Sequence, residues 1–474
     1  MTEVRKVAHN TIIQTIGKAV SVIIGLFAFG LIARNLGQVG YGYFTTVYVF
    51  LTIFGVLIDL GLQMTTTKLI SNPNNNEAKI LNNVLTIRLF SSIIFLGLAC
   101  VLVFFFPYPT IIKFGVVAAS LGFIFAQLNN ILTSLFQKYL VIYKIVIADL
   151  IAKFFYLGFL LLAIYWQTGL MGIIAATVLD SLITLAVLIF FCGRYVKLRL
   201  DFDFTVWLKI LNDTWPIALT IALNLIYFKG DLVIMSLMRS QAEVGLYGAP
   251  YRVLEVLIGI IYLFLGLVLP IMSAAVAIKN FEKLKKVIQA GFDFLITISI
   301  PLFVGGLFLG QKIMIFMAGI DFAISGEIIK ILLIATGTIF IAGLFGYAVV
   351  ALNQQKKMIK FYALNALLSI IAYLIFIPIY SYWAAAWITV ISEFFIMITA
   401  LVVVNQTIKF LPDLKIIWQA TLASLVMAIF LNIFIYLNFI ILIGGGAIIY
   451  FAALYLIGGV DKKTILEITK LKAN

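Results

Sequence analysis

The sequence predicts an all-α integral membrane protein with 14 transmembrane helices: two six-helix lobes in a parallel pseudo-two-fold repeat, then two additional C-terminal helices. Three observations lead there. Apolar stretches of about 20 residues, the length a helix needs to cross a bilayer at about 1.5 Å per residue, recur from one end of the chain to the other. Basic residues gather in alternate connections between those stretches, and short motifs return in the same order in the second half. With 64% hydrophobic and 11% charged residues among 474, little sequence is left for a soluble domain.

The apolar runs and their punctuation place the spans at 11–32, 43–67, 80–106, 110–136, 140–165, 168–192, 214–238, 244–275, 287–309, 327–352, 361–380, 382–404, 416–436 and 438–460. The first follows Arg5, Lys6 and His9, but it is too long for a signal-peptide core and no small-x-small cleavage site follows it, so it reads as an uncleaved span. Setting the N-terminus on the cytoplasmic side puts 23 of the 33 Lys and Arg residues in cytoplasmic segments, Arg194, Lys197, Lys283 and Lys356 among them. Only Arg34, Lys113, Arg239 and Lys312 fall on the opposite side. Such a bias over short loops predicts an even number of spans, with both termini cytoplasmic. The net charge of +14 is then mostly topological, and no nucleic-acid partner is expected.

The repeat begins with "ARNLGQVGYG" (33–42), after the first span, and "MRSQAEVGLYG" (238–248), after the seventh. At an offset of 205, Arg34 falls on Arg239, Val39 on Val244, Gly40 on Gly245 and Glu77 on Glu282. Later, "GLMGIIAATVLDS" (169–181) matches "SYWAAAWITVISE" (381–393) at 212, with Gly172 on Ala384 and Thr177 on Thr389. The matches keep their order and join span one with seven, two with eight and six with twelve. Six is even, so the halves share one orientation about an axis along the membrane normal. The predicted division is a lobe at 1–200, a lobe at 201–410, and two further helices with a cytoplasmic tail at 411–474.

Several chemistries lack material. Cys100 and Cys192 lie in apolar stretches without a paired pattern, so no disulfide is expected. His9 is the only histidine, which leaves nothing for a metal site or histidine catalysis, and no Walker G-x-x-x-x-G-K-[ST] motif is present; no cofactor is expected. The longest connection, 193–213, is too short for the acidic catalytic loop or domain of a membrane-embedded glycan polymerase or transferase, so the chain does not read as an enzyme.

The stretch "IPIYSYWAAAWITVISE" (377–393) resembles the I-P-x-Y-G-x-x-G-A-A-x-x-T-x-x-S-E signature of polysaccharide and O-antigen flippases, within the multidrug/oligosaccharidyl-lipid/polysaccharide exporter superfamily. "ARNLGQVGYG" is similar to that family's A-R-x-L-G-x-x-x-Y-G, "DLGLQMTTTK" (59–68) to its D-x-G-x motif, and "LVLPIMS" (267–273) to its proline in the eighth helix. Ser381 and Ala384 depart from the pattern, which prefers Gly at both. The resemblance implies two six-helix lobes around a central cavity open alternately to each side. It implies an undecaprenyl-diphosphate-linked oligosaccharide as substrate, moved to the outer leaflet for O-antigen, capsule or exopolysaccharide biosynthesis. It also implies contact with membrane lipid and association with the polysaccharide polymerase and chain-length machinery. The rival within the superfamily, a cation-coupled multidrug antiporter, would offer carboxylates to a cationic drug.

Lys18, Arg88, Lys153, Lys229, Arg252 and Lys330 fall within spans, with Asp59, Asp149, Asp180, Asp231, Glu255, Asp293, Glu327 and Glu393. A charge at a helix centre costs roughly 2.5–3.5 kcal/mol on insertion scales, so such groups face an interior or water. Asp149 and Lys153 stand i,i+4 and Arg252 and Glu255 i,i+3, close enough to neutralise each other on one helix, and Glu327 and Lys330 lie near an end. Asn10, Gln14, Lys18 and Ser21 form a polar stripe along span one, and Thr220, Asn224 and Asp231 a similar one on span seven; both suit a cavity wall. Arg88 either pairs with Asp59 or joins Lys18, Lys153, Lys229 and Arg252 in a cationic cavity suited to a diphosphate. Asp59, Asp180, Asp231 and Glu393 are candidates for proton or sodium coupling, with polar helix packing as the alternative for Asp180 and Glu393, which have no cation within a turn.

Overall fold

The computed structural model describes residues 3–59, 61–71 and 76–459, apart from the side chains of 3–12 and of scattered positions within 15–68 and 209–226. Regular structure throughout those residues is helical. The helices are α1 (Glu3–Asp59), α2 (Leu62–Ser71), α3 (Glu77–Leu102), α4 (Thr110–Lys138), α5 (Tyr143–Tyr165), α6 (Gly169–Cys192), α7 (Phe204–Met238), α8 (Gln241–Ala277), α9 (Phe281–Ala318), α10 (Ser325–Ala351), α11 (Gln355–Ile408), α12 (Lys415–Ile433) and α13 (Phe439–Leu456), with 3-10 turns at Val103–Phe105 and Ile320–Phe322. Eleven helices among the described residues are long and apolar enough to cross a bilayer. This is a multi-pass membrane protein, and helices suit it because lipid offers the backbone no hydrogen-bond partners.

Some helices outrun their apolar cores. α7 and α9 begin well before the predicted starts at 214 and 287, because polar caps secure extra turns beyond the hydrocarbon: Asp203 accepts from the backbone of Thr205 and Val206, and Asn280 from that of Lys283. The predicted second span, 43–67, is interrupted instead: α1 ends at Asp59, Gly61 adopts φ 79°, and α2 resumes at Leu62.

Two of the elements are hairpins. α1 turns at Gly37 (φ 65°, ψ −175°), and the rings of Phe29 and Tyr41 meet at 5.5 Å. Twelve residues of straight helix would hold them about 18 Å apart. α11 turns at Ser381 (φ 52°, ψ −135°), which brings Phe361 within 6.5 Å of Phe395. Both turns lie where the sequence separates one span from the next. Positive φ suits Gly37, but Ser381 adopts it with a Cβ, at one of the two positions where the flippase signature carries Gly. Its Oγ is buried without a hydrogen-bond partner among the described residues. Ser381→Gly is therefore expected to stabilise the protein by about 1 kcal/mol through relief of backbone strain and removal of an unsatisfied hydroxyl. Thermal unfolding of the purified protein checks this, and a lower Tm for the glycine variant would contradict it.

By packing, residues 1–248 form one unit and 249–474 a second. Among the described residues, two apolar cores lie in the first. One is built on Phe50, Leu51, Leu96, Ile112 and Ile174, the other on Leu81, Val84, Leu132, Phe136 and Leu188. α7 packs on α1, α2 and α3 within this unit. The chain leading into α7 is fastened along α3. Asn82 Nδ2 donates to the Lys197 carbonyl (3.3 Å), Thr86 Oγ1 accepts from Asp201 N (3.0 Å), and Asn83 Oδ1 accepts from Asp203 N and Trp207 Nε1 (both 2.9 Å). The Lys79 ammonium, 2.6 Å from Asp203, and the Val206 N–H hold the Asp203 carboxyl below the usual carboxylate range.

The two stretches whose sequences match, 33–42 and 238–248, also lie in this unit, packed backbone to backbone. A Cβ on Gly42 would stand 1.8 Å from the Gln241 carbonyl oxygen, and one on Gly245 would stand 2.0 Å from that of Gln38. Thr46 Oγ1 donates to Gln241 Oε1 across the contact (2.7 Å). Each glycine faces the other segment's glutamine backbone, so Gln38 corresponds to Gln241 and Gly42 to Gly245. This pairing is two residues out of register with the sequence match, which sets Gly40 on Gly245.

In the second unit α10 is the most enclosed helix, and Phe340, Leu344 and Phe345 pack on Leu284, Ile288 and Phe292 of α9. α12 and α13 dock on α9 as well. Tyr450 Oη donates to the Thr297 carbonyl (2.8 Å), and the Gln289 amide exchanges hydrogen bonds with the Asp413 backbone at 3.1 and 2.8 Å.

Candidate functional site

The first arm of α1 carries three different faces. Ile16, Val20, Ile23 and Phe27 are exposed and apolar. Gly17 and Ser21 turn toward α5, where a Cβ on Gly17 would meet Val146 and the Ser21 hydroxyl donates to Asp149. Gln14 and Lys18 are exposed on a third face, roughly 160° from Ile16 at 100° per residue. The predicted stripe is thus divided: Ser21 serves helix packing, Gln14 and Lys18 do not, and the Asn10 side chain lies outside the described residues. Lys18 has no carboxylate partner among the described residues. An exposed cation on the side opposite an apolar lipid-like face belongs beside water.

Arg88, Lys153, Arg252 and Lys330 have carboxylates of their own. Arg88 is fully buried and pairs with Asp59 at the break between α1 and α2, while its Nε and Nη1 have no hydrogen-bond partner among the described residues. Of the two readings open for Arg88, this geometry is the ion pair. Lys153 bonds Asp180 of α6 (Nζ to Oδ2, 2.7 Å) rather than Asp149 four residues back, which the Ser21 hydroxyl occupies. Asp180, without a cation on its own helix, therefore has one from α5. Arg252 pairs with Glu255 (3.1 Å) and Lys330 with Glu327 (2.6 Å), each on its own helix. Lys229 is half-buried, its ammonium 5.7 Å from the Phe228 ring centre.

On α7, Asn224 is exposed and donates to Tyr227 Oη (2.7 Å). The Thr220 side chain lies outside the described residues. Asp231 is wholly buried; it accepts from Tyr247 Oη (2.6 Å) and from Leu232 N (2.7 Å), so it ties α7 to the start of α8. In the second unit Glu393, on the later arm of α11, is buried and makes no hydrogen bond among the described residues. The phenols of Tyr262 and Tyr362 lie within its electrostatic reach.

Around Lys153 the first unit gathers a polar group that sequence spacing does not reveal. Tyr48 and Thr177 share a hydrogen bond beside Asp180, Thr184 bonds the Asp180 carbonyl (2.9 Å), and Asn129 Nδ2 donates to the Ser181 carbonyl (3.1 Å). α1, α4, α5 and α6 each supply members. A lone Tyr or Thr in an apolar span gives no sign of a partner more than a hundred residues away, which is how far Tyr48 stands from Thr177.

Residues 7–276, more than half of the chain, match the family model for polysaccharide biosynthesis proteins. The chain belongs to that family. Its fold is shared with solved transporters. A structure titled lipid II flippase MurJ, in an inward closed conformation, superposes with a TM-score of 0.78 at 16% identity over 95% of this chain and 99% of that one. An inward-facing multidrug resistance MATE transporter of the MOP superfamily gives 0.66 at 14% identity over 83% and 98%. A MOP superfamily transporter from Pyrococcus furiosus, titled for the reversed polarity of its binding pocket, gives 0.60 at 15% identity over 85% and 95%. No curated protein matches the chain. The polysaccharide biosynthesis family and the transporter fold are established by these matches. Identities this low carry no substrate across.

Proposed function

We propose that this protein is a flippase that moves an undecaprenyl-diphosphate-linked oligosaccharide across the cytoplasmic membrane by alternating access, for O-antigen, capsule or exopolysaccharide synthesis. The observation that carries the reading is Lys18, an exposed ammonium without a carboxylate partner among the described residues, set opposite an apolar face in a chain of the polysaccharide biosynthesis family. A diphosphate needs such a charge, and a cationic drug would be repelled by it. Lys229, Lys153 and Arg252 extend the cationic set in this proposal. Asp180 and Glu393 are its candidates for proton or sodium coupling.

Counting each hairpin arm of α1 and α11 separately and including α7 supports fourteen spans. An even count agrees with both termini in the cytoplasm, where the basic loops lie. The reciprocal Gly42 and Gly245 packing supports two equivalent six-helix lobes, at 1–200 and 201–410, with 411–474 as an addition. Association with a polysaccharide polymerase and its chain-length partner follows from the same reading. The test is transport in proteoliposomes. Fluorescent undecaprenyl-diphosphate oligosaccharide is expected to cross the bilayer at a rate that falls when Lys18 is neutralised. Movement of a cationic drug with none of the lipid would replace this reading by that of an antiporter.

A further inference from the structure

Lys153 is held by a partner that can be exchanged. Its ammonium contacts one oxygen of Asp180 at 2.7 Å, and the other oxygen, Oδ1, is buried without a hydrogen-bond partner among the described residues. Both side chains keep about a fifth of their surface exposed, 21% and 20%, so the pair is neither sealed nor bidentate. Bidentate, fully enclosed pairs hold tightest, and this one lacks both features. The second carboxylate within reach, Asp149 one turn away on α5, is occupied by Ser21, and Tyr48 beside Asp180 bonds Thr177. No other anion among the groups described around it holds Lys153 in place, although the Tyr156 ring lies 5.2 Å from its ammonium.

We infer that Asp180 is a placeholder anion: its carboxylate positions the Lys153 ammonium while the transporter is empty and yields it to a phosphate oxygen of the arriving lipid diphosphate. The inference rests on the flippase reading and deepens it by giving Asp180 a part in substrate exchange. One anion replaces another at a single ammonium, so the Lys153 charge never stands uncompensated inside the membrane. Substrate must compete with Asp180 to bind, and Asp180 competes with substrate at release. Asp180 is thus a positioning residue, which acts through Lys153.

The experiment measures binding of undecaprenyl diphosphate, with undecaprenyl monophosphate as comparison, to full-length protein in nanodiscs. Lys153→Met is expected to weaken binding. Asp180→Asn, by removing the competitor, is expected to tighten it about three- to fivefold, the range that partly exposed ion pairs support. In Lys153→Met/Asp180→Asn the tightening should vanish, leaving the affinity of Lys153→Met alone; a merely structural Asp180 would weaken binding in both backgrounds. Asp180→Ser gives a second neutral variant should the asparagine protein fail to fold, with the same expectation. Unchanged or weaker binding by folded Asp180 variants overturns the inference and leaves the flippase reading standing. Tightening that persists without Lys153 also overturns it. Absence of saturable binding by the unaltered protein overturns both.

Discussion

Gly42→Ala is expected to destabilise the protein by about 1–3 kcal/mol although it adds one methyl to a helix, where alanine is normally favoured by about 1 kcal/mol. The new Cβ would stand 1.8 Å from the Gln241 carbonyl oxygen, and backbone on both sides must move to admit it. Gly245→Ala faces the same obstacle at 2.0 Å from the Gln38 carbonyl. Gly97→Ala supplies the control: that glycine is helical and exposed, and a Cβ there would meet nothing within 4 Å, so the variant should match or exceed the parent. Thermal unfolding of the three purified variants in one detergent decides the matter. Equal Tm values for Gly42→Ala and Gly97→Ala would mean that the close backbone crossing does not support the native state.

The second large effect separates two arginine and lysine positions that look alike in sequence. Arg88→Ala leaves Asp59 charged and unpaired, and breaking a buried ion pair costs roughly 3–5 kcal/mol; Asp59 is 30% exposed, which puts the expected loss near the lower figure. Little Arg88→Ala protein should reach the membrane. Lys18→Ala removes an exposed side chain with no carboxylate to strand among the described residues, so its membrane level should equal that of the parent while surface polysaccharide export is lost. Immunoblots of membranes beside an assay of surface polysaccharide distinguish the outcomes. Normal export by Lys18→Ala would remove the cationic site from the mechanism, and full levels of Arg88→Ala would show the Asp59 pair to be dispensable.

Lys18 shows how far local spacing reaches. Its place on a polar stripe is a matter of helical periodicity, and Gln14 and Lys18 do share one exposed face. The same periodicity puts Ser21 on that stripe, yet Ser21 sits near enough to the edge of the face for α5 to claim it with Asp149. Lys153 goes further from local expectation. Its i,i+4 neighbour Asp149 is a good partner on an isolated helix, but a carboxylate from α6 offers a direct contact across the interface while Ser21 takes Asp149. Arg88 and Asp59 were legible as alternatives because the two spans are consecutive. The polar run Asn82, Asn83 and Thr86 was not legible, since its partners, backbone groups of a connection and the Trp207 indole, lie more than a hundred residues later.

Glu393 and Ser381 mark the limit in the second half. Each is a polar residue in an apolar run, and periodicity alone cannot tell a buried unpartnered group from one aimed at water. Ser381 was visible only as a departure from a glycine pattern; its left-handed backbone angle supplies the reason that pattern exists.

The sequence by itself determined the membrane class, the helical architecture, the places where the chain turns, and the flippase resemblance that the family match bears out. These follow from hydrophobic runs matched to bilayer thickness and from motifs a few residues long, all of which are local. Tertiary structure alone decided which charge meets which, where the glycines let two backbones touch, and which lysine keeps its charge exposed. A charged or polar group in a membrane is stable only with a partner or water, and the choice between them is made by the helix packed against it, whatever its distance along the chain.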